Sequence, residues 1–300
     1  MVNQKLLDRI NSLKKLTLSE SKIADFISQH YPEIVFDNVT SISRKTGVSK
    51  ATVVRFFAHL GFQSYALFND YLRNEIGEDW DSPILRYAMI KRQPMGDKQD
   101  VLTQYFSNII RQLQSTYEHI DREEFVKVAR MIANFKGNLY IIGQRACYAI
   151  AHLFYVRLKR MRPNTYLLDV QASILPDLLI DVSSRDLLFA IDHPQYCKAT
   201  RKVVELFSER KAKVVIITDS QFSPFSRFAD IQMVVPSDNL SVFHSCCGET
   251  ALIESLLAAA FSYGGDRPYD RLKKTEKLLR DFEVYYPARN LHWEKGKRRP

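Results

Sequence analysis

Up to about Gly77, apolar positions along the chain recur three and four residues apart. Leu6, Ile10 and Leu13 fall on one helical face, and Ile23, Phe26 and Ile27 on another. Ser19 is expected to open the second helix, and Ser19 with Lys22 makes only half a capping box. Pro32 is expected to open a further short helix. From Val39 to Leu60 the chain reads VTSISRKTGVSKATVVRFFAHL, two amphipathic segments flanking a turn at Thr46-Gly47-Val48. Ser49 is a good N-cap for the second segment. Gly61 suits the left-handed position that ends it, and Tyr65 to Ile76 closes an all-helical unit.

Residues 78–98 change character, with Pro83, Pro94 and Gly96 among charged side chains. They read as a linker with one short helical piece around Ile84 to Ile90. Beyond it, helical periodicity covers Val101 to Tyr117 and Arg122 to Asn134. Short β-branched runs follow at Asn138–Gly143, Thr165–Asp169, Asp186–Asp192, Lys213–Asp219 and Ile231–Pro236. Helical stretches at Ala146–Met161, Ala172–Ile180, Lys198–Glu209 and Phe243–Tyr263 separate or follow them. Nearly unbroken apolar strands alternating with helices predict a parallel sheet covered on both faces. The expected division is 1–77 helical, 78–98 linker, 99–285 α/β, and 286–300 a basic tail.

Composition adds a partner and a compartment. The 300 residues are 46% hydrophobic and 26% charged, the balance of a soluble globular protein. A formal charge of +9 favours a polyanionic partner. The four cysteines, Cys147, Cys197, Cys246 and Cys247, form no C-x-x-C pair and no zinc spacing with histidine. They read as reduced thiols of a cytoplasmic protein. The N-terminus alternates charge and leucine too regularly for a signal peptide. No run reaches the ~20 apolar residues of a membrane span. Ala251 to Phe261 comes closest, but Glu254 interrupts it, and Glu254 is either paired at an interface or turned to a cavity.

In the Val39–Leu60 segment, Val48, Val53, Phe56 and Leu60 are spaced to dock a helix. Lys50, Ala51, Thr52, Arg55 and His59 are left facing outward. This is the layout of a helix-turn-helix whose second helix enters the major groove. Lysine or arginine can bond guanine, and an alanine or threonine methyl can touch the thymine methyl. Ser49 would cap the helix and aim its N–H groups at phosphate, with Arg44 and Lys45 as further phosphate contacts. The alternative is an αα-hairpin with a solvated basic face.

These residues also carry a resemblance. Gly47, Val48, Ser49, Ala51, Thr52, Val53, Arg55 and Phe56, followed by Leu60-Gly61-Phe62, resemble the core motif of RpiR-type (MurR/RpiR) transcriptional regulators. Ser43 departs from the alanine usual there. The resemblance implies that a SIS (sugar isomerase) domain follows, a flavodoxin-like α/β three-layer sandwich that holds a phosphosugar at three strand–helix turns. Backbone N–H groups at helix N-termini and Ser/Thr hydroxyls bond the phosphate in such sites.

The turns here depart from that pattern. The first, Gly143-Gln144-Arg145-Ala146-Cys147, has Arg145 for a glycine and Cys147 for a serine. The second, Asp192-His193-Pro194-Gln195-Tyr196-Cys197-Lys198, keeps Tyr196 and Lys198 but loses hydroxyls at Asp192 and Cys197. The third, Thr218-Asp219-Ser220, fits. A thiol donates weakly to phosphate, and Asp192 would repel it. Arg145 could supply a bidentate donor to carboxylate or phosphate instead. The ligand is then an altered phosphorylated compound or another small metabolite, or there is none. His193 is an acid/base candidate or a loop residue shaping the pocket. By the resemblance, His244, Ser245 and Glu249 border the pocket from a neighbouring subunit; alternatively Ser245 caps the helix after it. Cys147 lacks a visible base to activate it.

The expectation is a transcriptional regulator whose DNA affinity is controlled by a small anionic metabolite, such as a sugar phosphate or related acid. Its partners are a pseudo-palindromic double-stranded operator, the effector, and one or three further copies of itself. Neither a membrane, a cofactor, a metal nor a catalytic residue is called for. The rival is a sugar-phosphate isomerase with an accessory helical domain, for which His193 and Glu249 are the visible bases.

Overall fold

The computed structural model describes residues 6–285, apart from 14, 32, 77–82, 85, 88–99, 171–172, 222 and 237–240. The chain divides into two compact units, 1–110 with 238–245, and 111–237 with 246–300. The basic tail and most of the expected linker helix lie outside the described residues.

The first unit contains α1 (Leu6–Asn11), α2 (Leu18–Gln29), a 3-10 turn (Glu33–Phe36), α3 (Val39–Thr46), α4 (Lys50–His59) and α5 (Tyr65–Ile76). Thr17, not Ser19, caps α2. The Glu20 backbone N–H donates to Thr17 Oγ1 at 3.3 Å, and the Thr17 N–H donates to Glu20 Oε2 at 2.9 Å. That is a complete capping box, so the half box at Ser19 and Lys22 is corrected. The core is built from Ile23, Ile27, Ile42, Val53, Phe56, Phe57, Phe68 and Leu72, each at most 0% exposed. Phe57 is its aromatic centre, with ring centroids 4.2 Å from Phe68 and 5.1 Å from Tyr65.

Helix α6 (Val101–His119) contains the boundary between the units. The second unit continues with α7 (Arg122–Asn134), β1 (Leu139–Gly143), α8 (Ala146–Met161), β2 (Thr165–Leu168), α9 (Leu175–Leu179) and β3 (Leu187–Ile191). Then come α10 (Lys198–Glu209), β4 (Lys213–Thr218), β5 (Ile231–Val234), α11 (Cys247–Tyr263) and α12 (Asp266–Asp281). All four strand pairings are parallel, in the order β2-β1-β3-β4-β5. Alternate residues of each strand feed two cores. Ile141, Phe189, Val215 and Ile217 pack with α7, α8 and α11. Ile142, Ala190, Val214 and Ile216 pack with α9 and α10. Phe154 of α8 meets Phe189 of β3 edge-on at 5.2 Å, and deleting that ring would cost about 3–5 kcal/mol.

Three helices differ from expectation. The β2–β3 helix is shorter, Leu175–Leu179, with Pro176 in its first turn. The last sheet-covering helix starts at Cys247 rather than Phe243, and its N-cap Cys246 makes no side-chain cap bond, so Ser245 is not the cap. Helix α12 was not foreseen, because charged residues hide its few apolar positions. Glu254 pairs with Arg157 of α8 at 2.5 Å on the half-exposed surface, and is not turned to a cavity.

Candidate functional sites

In the first unit, Asn38 caps α3 by accepting the Ser41 N–H at 2.8 Å. Gly47 ends α3 with φ of 68°, a left-handed conformation that glycine adopts without a Cβ penalty. Ser49 then opens α4 by accepting the Thr52 N–H at 3.2 Å. The chain turns between two helices in three residues, which is why a glycine and a short capping side chain sit there. Val48, Val53, Phe56, Phe57 and Leu60 are buried, so the docking face matches the apolar spacing with Phe57 added.

On the opposite face, Lys50, Ala51, Arg55 and His59 are exposed and Thr52 is half-buried. The Thr52 hydroxyl lies 2.9 Å from Ser49 Oγ and accepts from Arg55 Nη2 at 3.2 Å. These bonds hold the Arg55 guanidinium against its own helix. Val54, 48% exposed, and Ala58 complete this face. Sequence reasoning passed over Val54, because its exposure shows only once the docking face of the helix is fixed.

Two expected DNA contacts are engaged within the unit. Lys45 Nζ is 2.7 Å from Asp37 Oδ1 and lies over the Phe26 ring, so a phosphate would compete with that ion pair for it. His59 Nδ1 is 3.0 Å from Glu20 Oε1. Arg44 is exposed at the end of α3.

In the second unit, α8 covers one face of the sheet and α10 the other. The strand ends of β1 and β3, paired at Gly143 and Ile191, therefore sit where the connections diverge. That switch point is where open α/β sheets hold ligands. Gly143 is required there: a Cβ would lie 2.5 Å from the Cys147 carbonyl oxygen. Gln144 is 7% exposed, and its Nε2 has no hydrogen-bond partner among the described residues. Arg145 is exposed and adopts φ 55°, ψ −122°, a strained conformation for a residue with a Cβ. Cys147 is buried, and burial first, then the charges of Asp192 and Glu249, pushes its thiol well up. It cannot act as a thiolate nucleophile in that state.

Asp192 is turned into its own loop. Its Oδ1 accepts the His193 N–H at 3.0 Å and its Oδ2 the Cys197 N–H at 3.1 Å. Burial pushes its carboxyl up to about 7, opposed by the hydrogen bonds from the Cys197 and His193 N–H groups and reinforced by Asp219. His193 Nδ1 lies 3.3 Å from the Pro194 carbonyl oxygen. Gln195 has φ of 69°, a second non-glycine residue in left-handed backbone in these turns. The Tyr196 hydroxyl donates to Asp219 Oδ1 at 2.5 Å, and the Thr218 hydroxyl to the same oxygen at 3.3 Å. Cys197 is the N-cap of α10 without a side-chain bond, and Lys198 is exposed. The Ser220 carbonyl accepts from Gln232 Nε2 at 2.6 Å. Glu249 is buried in the first turn of α11. His244 lies in the segment 238–245, which groups with the first unit. Among the described residues no metal-ligating cluster occurs, and no helix is long and apolar enough to cross a membrane.

Comparison with known proteins matches both units. Residues 4–78 match the helix-turn-helix domain model of the rpiR family, and residues 131–262 match the SIS domain model, together more than half of the chain. The chain belongs to the RpiR-type helix-turn-helix family. This RpiR-type chain is 26% identical over 231 residues to an uncharacterized HTH-type transcriptional regulator of Thermotoga maritima, covering 75% of this chain and 80% of that one. It is 21% identical to the HTH-type transcriptional regulator RpiR of Escherichia coli K12, covering 82% and 81%. The fold matches Vibrio vulnificus NanR, solved with ManNAc-6P, at a TM-score of 0.56 and 21% identity, over 93% of this chain and 99% of that one. The expected fold, a helix-turn-helix unit followed by a parallel-sheet SIS sandwich, is the one observed.

Proposed function

We propose that this RpiR-type chain is a DNA-binding transcriptional regulator with α4 as its recognition helix and the β1/β3 strand ends as its effector site. The observation that carries the reading is the capped, outward-facing α4, which presents Lys50, Ala51, Arg55 and Val54 on one exposed face. A cationic, methyl-bearing helix face fits the donor, acceptor and methyl pattern of the major groove. The effector is a small anionic metabolite of the sugar-phosphate or related-acid class. The sugar-phosphate complex of NanR supports that class, and so does Arg145 at the strand ends. Regulator names among the relatives favour control of transcription over isomerase chemistry.

The regulator works in the cytoplasm as a homodimer or homotetramer. Helix α6 supports self-association, because its polarity is inverted. Asn108, Gln112 and Thr116 are buried, while Leu102, Phe106, Ile110 and Tyr117 are 60% or more exposed. An apolar stripe at helical spacing fits a symmetric partner. A two-fold dimer would present two copies of α4 to a pseudo-palindromic operator. Footprinting on DNA selected by the protein from random sequence tests this. Two protected half-sites whole helical turns apart are expected, and a lone half-site would contradict it.

A further inference from the structure

We propose that Thr52 is a positioning residue for DNA reading: its hydroxyl holds the Arg55 guanidinium so that α4 reads one guanine in each half-site. The proposal rests on α4 as the recognition helix. Residues 49, 52 and 55 are spaced three apart, so they follow one another along the first turns of α4. Ser49 Oγ accepts the Thr52 N–H at 3.2 Å, which is the cap bond. The same oxygen lies 2.9 Å from the Thr52 hydroxyl. Arg55 Nη2 donates to that hydroxyl at 3.2 Å. A hydroxyl can accept and still give its one proton, so Thr52 accepts from Arg55 and donates to Ser49. The bonds therefore run outward from the turn. Gly47 sets the turn, Ser49 caps the helix and holds Thr52, and Thr52 holds Arg55.

What Arg55 would do without that bond explains its use. An unrestrained arginine on an exposed helix face has many rotamers and reaches phosphates as well as bases. A phosphate contact carries no sequence information. Thr52 lies one turn nearer the start of α4, so it draws the guanidinium toward the N-terminal residues that meet base edges in a helix-turn-helix. Arg55 makes no ion pair among the described residues, so none of their carboxylates draws it elsewhere. A guanidinium has five N–H donors; one goes to Thr52, and a bidentate contact takes two more. In the major groove guanine offers two adjacent acceptors, O6 and N7, whereas adenine sets a donor beside its N7. The Thr52 bond is weak while water covers this face. It strengthens once DNA displaces the water and lowers the local dielectric. Valine has the same shape as threonine but cannot accept the bond, and serine can.

The test uses the full chain and a duplex that it selects from random DNA. Fluorescence anisotropy compares this duplex with versions in which each G·C pair of a half-site is changed in turn to A·T. The wild type should lose about ten-fold or more in affinity at one guanine, and Arg55→Ala should no longer distinguish that pair. Thr52→Val should cut the preference at that guanine by about three-fold or more, the worth of one hydrogen bond. Thr52→Ser should restore it, and Thr52→Ala gives the same loss if the valine variant does not fold. In an Arg55→Ala background Thr52→Val should change nothing further, since a positioning residue acts only through the group it positions. A role in capping or folding would instead weaken binding equally in both backgrounds, and that result would overturn the proposal. So would a selected half-site with no guanine that depends on Arg55, or a folded Thr52→Val variant that keeps the full preference. A chain that selects no sequence at all would overturn α4 as the recognition helix, and this proposal with it.

Discussion

His59 Nδ1 and Glu20 Oε1 stand 3.0 Å apart, which ties the last turn of α4 to the capping box that starts α2. Glu20 thus serves two contacts at once. Its carboxyl is held below the usual glutamate range, first by the Thr17 backbone N–H, then by the Thr17 hydroxyl and by His59. With a lowered folded-state pKa, its stabilisation is present above the ordinary glutamate value and fades as pH falls through the folded value. Thr17→Ala should cost the first unit about 1 kcal/mol. Urea denaturation at neutral pH measures this, and an unchanged midpoint would show that the box contributes nothing.

Arg145 holds a backbone conformation with positive φ that glycine reaches without strain. Strain of this kind costs about 1–3 kcal/mol, partly offset by glycine's greater freedom when unfolded. Arg145→Gly should therefore raise stability by about 1 kcal/mol. A lower melting temperature in that variant would mean that the guanidinium stabilises the fold.

Asp192 should make the second unit pH-sensitive. Burial raises its carboxyl to about 7, so the folded chain keeps a proton that the unfolded chain releases near the ordinary aspartate value. Folded protein then binds more protons between those two values, and stability falls as pH rises through that window. Asp192→Asn should flatten this slope. Melting temperatures at pH 5 and pH 8 decide it; equal slopes in the variant and the wild type would remove Asp192 as the cause.

The apolar stripe on α6 gives a prediction about assembly. Phe106 is 61% exposed in the single chain, and Phe106→Glu would place a charge in the proposed contact. Light scattering after size exclusion should show a dimer or tetramer for the wild type and a smaller species for the variant. A monomeric wild type, or no change on substitution, would contradict the interface.

Much of the fold could be read from local pattern. Strands buried on both faces appear as unbroken apolar runs, so β1, β3 and β4 emerge within a residue of their observed bounds at each end. The Gly47–Ser49 turn carries its own chemistry within three residues. What stayed hidden depends on partners distant in sequence. The pairing of Lys45 with Asp37 and of His59 with Glu20 joins residues too far apart in sequence to be read from local pattern. Asp192 looks like a charge facing a ligand until its loop closes around it. Helix α12 was missed because its buried side is narrow and its charged side is long.

The central claim is that the exposed face of α4 reads DNA. It is tested most directly by fluorescence anisotropy on an operator selected by the wild type, titrated at several salt concentrations with wild type, Arg55→Ala and Lys50→Ala. The account predicts tight, steeply salt-dependent binding by the wild type. Each variant should lose about 1–3 kcal/mol, with relaxed preference at the base pair it contacted. Variants that bind as tightly and as selectively as the wild type would contradict the assignment of α4 as the reading helix.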